Sequence, residues 1–133
     1  MIKANRSKDA AKSVVSIRKV KNTSNKSIEK GLNELLTDIG GLAQIIPSNT
    51  NYVLIKPNIM MGCSWETGIT VHPLLIELLI KKLKKTGLEV SVGEGAGWGC
   101  KSDDSFKATG IQEICNTLKV PLVDFKWKIR EIH

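Results

Sequence analysis

The sequence predicts an α/β fold with a parallel, Rossmann-like sheet in β-α-β-α-β-α-β order and flanking helices, and it leaves open whether that sheet is complete. Three observations support this prediction. Short apolar or β-branched runs alternate with segments whose apolar residues recur at helical spacing. Residues 52–55 are continuously apolar, as in a strand covered on both faces. Alternating strands and helices favour parallel strands joined by right-handed crossovers.

Residues 1–12 are polar and aperiodic, and we expect a basic, disordered tail before a single α/β domain at residues 13–133. The formal net charge of the 133-residue chain is +7. Its first 30 residues hold nine basic and two acidic side chains, whereas the remainder holds eleven of each. A basic arm can bind nucleic acid. Because no aromatic residues lie among these charges, we expect a solvated tail and do not favour a nucleic-acid partner.

The first predicted elements lie between this tail and the middle of the chain. Residues 14–20 are rich in β-branched side chains and predict the first strand. Residues 28–36 have apolar side chains on one helical face, and the pair Gly40–Gly41 predicts the end of that helix. Residues 52–55 are predicted to form a central strand of the sheet.

The second half continues the alternation. Residues 73–87 predict a helix that begins with proline and ends at glycine, and residues 88–92 alternate as a strand does. Residues 111–118 place apolar side chains on one helical stripe. Residues 120–125 predict the last strand, which Pro121 favours as an edge strand.

The C-terminal segment has apolar side chains without a clear period, at Trp127, Ile129 and Ile132. Beside a predicted edge strand, such side chains invite pairing with another chain. We therefore expect self-association or binding to a partner chain that completes the fold.

Several protein classes are excluded by composition. No apolar run approaches the roughly 20 residues of a membrane span, and the N-terminus lacks the apolar core of a signal peptide. Three unevenly spaced cysteines do not form a disulfide framework. We expect a cytoplasmic protein without membrane association.

One candidate site segment is the 17-residue stretch 56–72, which follows the predicted central strand. Loops longer than roughly 12–15 residues are usually functional or disordered. This one begins with Lys56 and Asn58 and ends with His72, next to the start of a helix. Ligands of parallel sheets bind outside the carboxyl ends of the strands, where these side chains should lie.

The other candidate segment is glycine-rich and follows the next strand at residues 93–99. Glycines allow main-chain N–H groups to approach an anion, which makes Gly93, Gly95 and Gly97 candidate binding residues beside Glu94. The spacing matches neither the dinucleotide-binding fingerprint nor a phosphate-binding Walker motif. We therefore predict no particular cofactor.

Together these residues predict a site for a small anionic ligand. Lys56, Asn58 and the glycines would hold the anion, and His72 or Glu94 would be catalytic by transferring protons. Each residue also has a structural interpretation. Lys56 and Glu94 would form an ordinary salt bridge, Asn58 a turn and His72 a helix cap. A metal site formed by two loop cysteines and His72 is a less favoured alternative, because no C-x-x-C pair supports it.

The chain resembles the domain of unknown function 362 family over residues 14–125. Five stretches carry the resemblance: Tyr52–Asn58, Thr70–Pro73, Val92–Gly95, Phe106–Gly110 and Val123–Asp124. The most specific part is Lys-Pro-Asn, at the end of the first stretch.

This resemblance implies an α/β domain of prokaryotic proteins, some of which carry ferredoxin-type iron–sulfur modules. Its activity stays undefined. It implies a ligand- or cofactor-binding domain of a redox or iron–sulfur-associated protein; the alternative is a non-catalytic partner or scaffold that docks an electron-transfer protein. The chain lacks a ferredoxin cysteine run. The family domain continues well past the equivalent of His133, so we expect an N-terminal part of a larger domain.

Overall fold

The computed structural model describes residues 14–97 and 99–126. Its centre is a three-stranded parallel sheet of β1 (Tyr52–Ile55), β2 (Glu89–Glu94) and β3 (Leu122–Asp124), in the order β1-β2-β3. The helices, in chain order, are α1 (Asn25–Asp38), α2 (Leu42–Ile45), α3 (Pro73–Lys85), α4 (Ser102–Ala108) and α5 (Ile111–Leu118). The predicted α/β class and parallel strand direction are confirmed.

The sheet buries one face more fully than the other. Alternate residues of β1 and β2, such as Ile55 and Val92, enter a core with residues of α3 and α5. On the opposite face, Tyr52 is 49% exposed and Leu54 is 41% exposed. The core consists of Ile55, Ile59, Ile76, Ile80, Leu83, Val90, Val92, Phe106, Ile111, Cys115 and Val120.

The prediction that residues 52–55 form a central strand is wrong. Within the described residues, β1 lies at one end of the sheet and pairs only with β2, which is the central strand. A continuous apolar run does not identify a central position when one face of the strand is left half-exposed. The predicted edge position of the last strand is confirmed, because β3 lies at the other end of the described sheet.

The prediction of a first strand at residues 14–20 is also wrong, because the segment is not part of the described sheet. Two of its side chains instead contact Asp38, the last residue of α1. Arg18 forms an ion pair with Asp38 at 2.5 Å, and Ser16 donates a hydrogen bond to the same carboxylate at 2.6 Å. The sheet therefore has three described strands rather than the four predicted.

The predicted helix boundaries have clear physical causes. The Ser24 hydroxyl caps α1 by accepting the Ser27 N–H, and Gly40 follows its end with a φ of 87°. Pro73 occupies the first turn of α3, and Gly87 follows its end with a φ of 82°. No helix among the described residues has the length and apolar character needed to cross a membrane.

Three short elements were not predicted from the sequence, and the first is α2, which is only four residues long. The helix α4 contains a single large apolar residue, Phe106, so it has no periodic stripe to detect. A turn of 3-10 helix, Trp65–Thr67, divides the long stretch 56–72. The C-terminal side chains Trp127, Ile129 and Ile132, and the tail 1–12, lie outside the described residues.

Candidate functional site at the carboxyl edge of the sheet

The carboxyl ends of the three strands lie along one edge of the sheet, as parallel pairing requires. Lys56 follows β1, Gly95 follows β2 and Phe125 follows β3. The register pairs Glu94 with Asp124, so the last residues of β2 and β3 are neighbours across the strands. Side chains from three separate parts of the sequence therefore meet at this edge.

Lys56, Glu94 and Gly95 form a connected cluster there. The Lys56 Nζ donates to Glu94 Oε2 at 2.5 Å, and the Gly95 N–H donates to Glu94 Oε1 at 3.0 Å. The Glu94 side chain is only 9% exposed, whereas that of Lys56 is 61% exposed. A nearly buried carboxylate thus holds an ammonium group on the solvent side of the edge. The predicted approach of Lys56 to the glycine-rich segment is present.

Asn58 forms hydrogen bonds that join the two ends of the long loop. Its Nδ2 donates to the Ile69 carbonyl oxygen at 3.0 Å. Its own carbonyl oxygen accepts the Val71 N–H at 3.1 Å and the Thr70 hydroxyl at 3.0 Å. One residue therefore joins the beginning and end of the stretch 56–72. These hydrogen bonds give Asn58 the structural role that was the alternative to ligand binding.

Gly97 connects the two candidate loops. Its N–H donates to the Met60 carbonyl oxygen at 2.7 Å, and a Cβ added at Gly97 would overlap that oxygen. Any larger residue at position 97 would force the two loops apart. Gly93, by contrast, lies within β2, where the Phe125 ring covers it.

Lys126 is a site residue that the sequence analysis missed. Its Nζ donates to the carbonyl oxygens of Gly97, at 3.0 Å, and Cys100, at 2.8 Å. Its main-chain N–H donates to Asp124 Oδ1 at 2.9 Å, and the Ser102 hydroxyl donates to the same oxygen at 2.7 Å. Lys126 thereby fixes the glycine-rich segment from the side of β3. The available signal was its position just after a strand, like that of Lys56.

His72 lies at the beginning of α3. Its Nδ1 accepts the Leu74 N–H at 3.2 Å, and its ring centroid is 4.0 Å from that of Trp65. Partial burial lowers the pKa of His72 below its ordinary value. The hydrogen bonds found for its side chain do not reach Lys56 or Glu94. The structure thus places His72 as the helix cap of the alternative interpretation and does not link it to the cluster.

The cysteines do not converge on a metal site. Cys63 and Cys100 are half-buried in the two loops, and Cys115 is buried in the core. Burial raises the pKa of the Cys115 thiol to about 11, so this thiol is protonated at neutral pH. Across residues 14–97 and 99–126, no group of three or more His, Cys, Asp or Glu side chains is placed to hold a metal ion. The less favoured metal site at Cys63, Cys100 and His72 is therefore not formed.

Three large apolar side chains of the long loop are exposed. Met60 is 56% exposed, Met61 41% and Ile69 39%. Exposed apolar residues grouped beside a polar site are typical of surfaces that bind a ligand or a protein. Methionine suits such surfaces because its side chain is flexible and polarizable.

Comparison with known proteins identifies the family. No curated protein and no solved structure matches this chain. A family model described as a domain of unknown function, DUF362, matches residues 53–131, which include β2, β3, all of β1 but its first residue, and every residue of the cluster at the carboxyl edge. The chain belongs to the domain of unknown function 362 family.

Proposed function

We propose that this chain is a ligand- or cofactor-binding α/β domain that binds a small anionic group at the carboxyl edge of its sheet. The observation that carries the proposal is the position of the Lys56 ammonium. Glu94 holds it beside the glycine-rich segment, with 61% of the Lys56 side chain exposed. One Nζ hydrogen bond is found for Lys56 within the described residues, and an ammonium group has three donors.

Lys126 strengthens the case because it adds a second positive charge near the same glycines. Its Nζ is bonded to two carbonyl oxygens, and none of the ion pairs among the described residues includes it. Glu94 and Asp124, the last residues of two neighbouring strands at this edge, balance the two lysine charges. The attraction for an anion would therefore come from direct hydrogen bonds to the ammonium groups and not from an excess of positive charge.

Proton transfer in such a site would involve Glu94, which directly contacts Lys56. His72 would take part in proton transfer only with a ligand long enough to contact both Glu94 and the beginning of α3. The association with redox and iron–sulfur proteins rests on the family resemblance and is part of the same proposal. A cytoplasmic setting is also proposed, because the three unevenly spaced cysteines do not form a disulfide framework.

The first test is a titration with inorganic phosphate at constant ionic strength, followed through the NMR amide shifts of Gly95 and Gly97. Lys56→Ala should weaken binding by about 1.5–3 kcal/mol, the contribution of a hydrogen bond to a charged group. Lys81→Ala is the matched control, because Lys81 also forms a 2.5 Å ion pair with a carboxylate, Glu77, but on α3. Equal affinities of the two variants would contradict the proposal.

A second candidate function is a non-catalytic docking domain for an electron-transfer protein. The exposed side chains Met60, Met61 and Ile69 favour it, because exposed apolar residues are typical of surfaces that bind a protein. Under this alternative, Met61→Asp should abolish binding of the partner while Lys56→Ala leaves phosphate affinity unchanged.

A further inference from the structure

Residues 14–20 form an extended segment whose side chains alternate between two environments. Ser16 and Arg18 contact Asp38, and a Cβ added at Gly31 would contact Val20, so three alternate residues are directed toward α1. The side chains between them are directed away. Val15 is 81% exposed and Ile17 is 87% exposed.

The segment therefore has the side-chain alternation of a strand without its hydrogen bonds. Within the described part of the chain, no main-chain hydrogen bond joins residues 14–20 to another main-chain group. Its β-branched side chains favour the extended conformation. An exposed strand of this kind is a template for pairing with another strand.

The strand β1 offers a second unpaired edge. Among residues 14–97 and 99–126, β1 pairs with β2 on one side only. Tyr52 and Leu54 lie two residues apart on the same face, and both are more than one-third exposed. The Tyr52 hydroxyl is hydrogen-bonded to that of Ser91, so its polar group is satisfied while its ring stays accessible.

The two edges complement each other. Each presents a pair of exposed apolar side chains at strand spacing, Val15 with Ile17 and Tyr52 with Leu54. The ion pair between Arg18 and Asp38 keeps the segment on α1 of its own molecule, where it is not bonded to its own β1. A second copy of the chain carries the same two edges and can satisfy both.

We propose that residues 14–20 of one molecule pair with β1 of a second molecule, and the reverse, in a two-fold symmetric dimer. Each copy supplies one segment and one edge, so the contact closes and leaves neither edge available for further growth. The apolar side chains of the two edges would then be buried as cross-strand neighbours. Lys56 directly follows β1, so the interface borders the cluster of Lys56, Glu94 and Gly95, but the proposed pairing rests on the two edges and not on anion binding.

Sedimentation velocity over a range of protein concentrations tests this proposal. The parent chain should show a reversible monomer–dimer equilibrium. Ile17→Asp should raise the dimer dissociation constant by about tenfold or more, because it places a charge in an apolar contact. Ile45→Asp is the matched control: Ile45 is 51% exposed on α2, outside the proposed interface, and its replacement should leave the equilibrium unchanged.

Disulfide trapping tests the pairing directly. In a background with Cys63→Ser and Cys100→Ser, an Ile17→Cys variant is mixed with a Leu54→Cys variant and oxidised. A disulfide between the two variants, dependent on concentration, is the expected result. A parent chain that stays monomeric at millimolar concentration overturns the proposal. A double variant, Ile17→Cys with Leu54→Cys, that links only within one chain at any dilution also overturns it.

Discussion

His72 is bound to the first turn of α3 through Nδ1, and this contact determines how a substitution there should act. Because Nδ1 accepts the Leu74 N–H, the proton of the neutral ring resides on Nε2. Protonating Nδ1 would remove the cap. The lowered pKa of the folded state agrees with this, since the charged ring is disfavoured by partial burial.

We expect His72→Ala to lower the free energy of unfolding by about 1 kcal/mol at pH 7.5 through loss of the cap, whereas His72→Asn should retain most of it. The folded pKa lies below the unfolded value, so the contribution of His72 to stability is complete above about pH 6.5 and is lost as the pH falls through the folded pKa. Urea unfolding between pH 5 and pH 8 measures both effects. If His72→Asn loses as much free energy of unfolding as the parent chain when the pH falls from 8 to 5, the pH dependence does not come from His72.

Residue pairs at the site were predictable where strand direction alone brings them together. Lys56 and Glu94 end or follow neighbouring parallel strands, so their contact follows from topology. Lys126 was not predicted, because its two hydrogen bonds depend on how the glycine-rich segment curves back toward β3. The sequence specifies the strands but not the path of that segment.

The glycine-rich segment connects β2 to α4, and its glycines differ in whether a larger side chain would fit. A Cβ at Gly97 would overlap the Met60 carbonyl oxygen, which belongs to a rigid main chain. A Cβ at Gly95 would make ordinary van der Waals contacts with Phe125 and Lys126, the closest at 3.5 Å. The two positions therefore form a matched pair for substitution.

Gly97→Ala should destabilise the chain by about 1–3 kcal/mol, as overpacking does, and should weaken phosphate binding because the two loops move apart. Gly95→Ala should change the free energy of unfolding only slightly, because the added Cβ fits without overlap. Its melting temperature should therefore stay within a few degrees of the parent value. Thermal unfolding followed by circular dichroism compares the two variants. Equal loss of stability would show that the contact between Gly97 and Met60 is not the constraint.

Element predictions succeeded where burial and sequence period agreed. The helices α3 and α5 have apolar stripes and terminal glycine or proline signals, and both lie where predicted. The segment 14–20 has strand-forming residues but no strand partner among the described residues, so local preference alone did not produce a strand. The helix α4 lacks a stripe because Phe106 is its single large apolar residue.

For the whole molecule, the distribution of charge separates the tail from the proposed site. The net charge of +7 comes from the first 30 residues, whereas Lys56 and Lys126 lie in the electrically balanced remainder. If anions bind at the carboxyl edge, they should do so without help from the tail. Exposed charges separated by more than about 8 Å are largely screened at physiological ionic strength.

Deleting residues 1–12 should therefore leave the phosphate affinity and the melting temperature unchanged, since the deleted residues show no apolar period that would pack onto the domain. Phosphate titration at 0.15 M ionic strength, near the physiological value, is the appropriate measurement. Lys56→Ala in the shortened chain should still weaken binding. A large drop in affinity on deletion alone would indicate that the basic tail, rather than the edge of the sheet, holds the anion.

The attachment of Lys126 to the glycine-rich segment has a dynamic consequence. Lys126 follows β3, a three-residue strand at the end of the described sheet, and it holds that segment through two carbonyl oxygens. Short edge strands are among the first elements to open in local fluctuations. When β3 opens, the segment loses the two hydrogen bonds from Lys126, so the lifetime of its conformation is limited by the opening of the shortest strand.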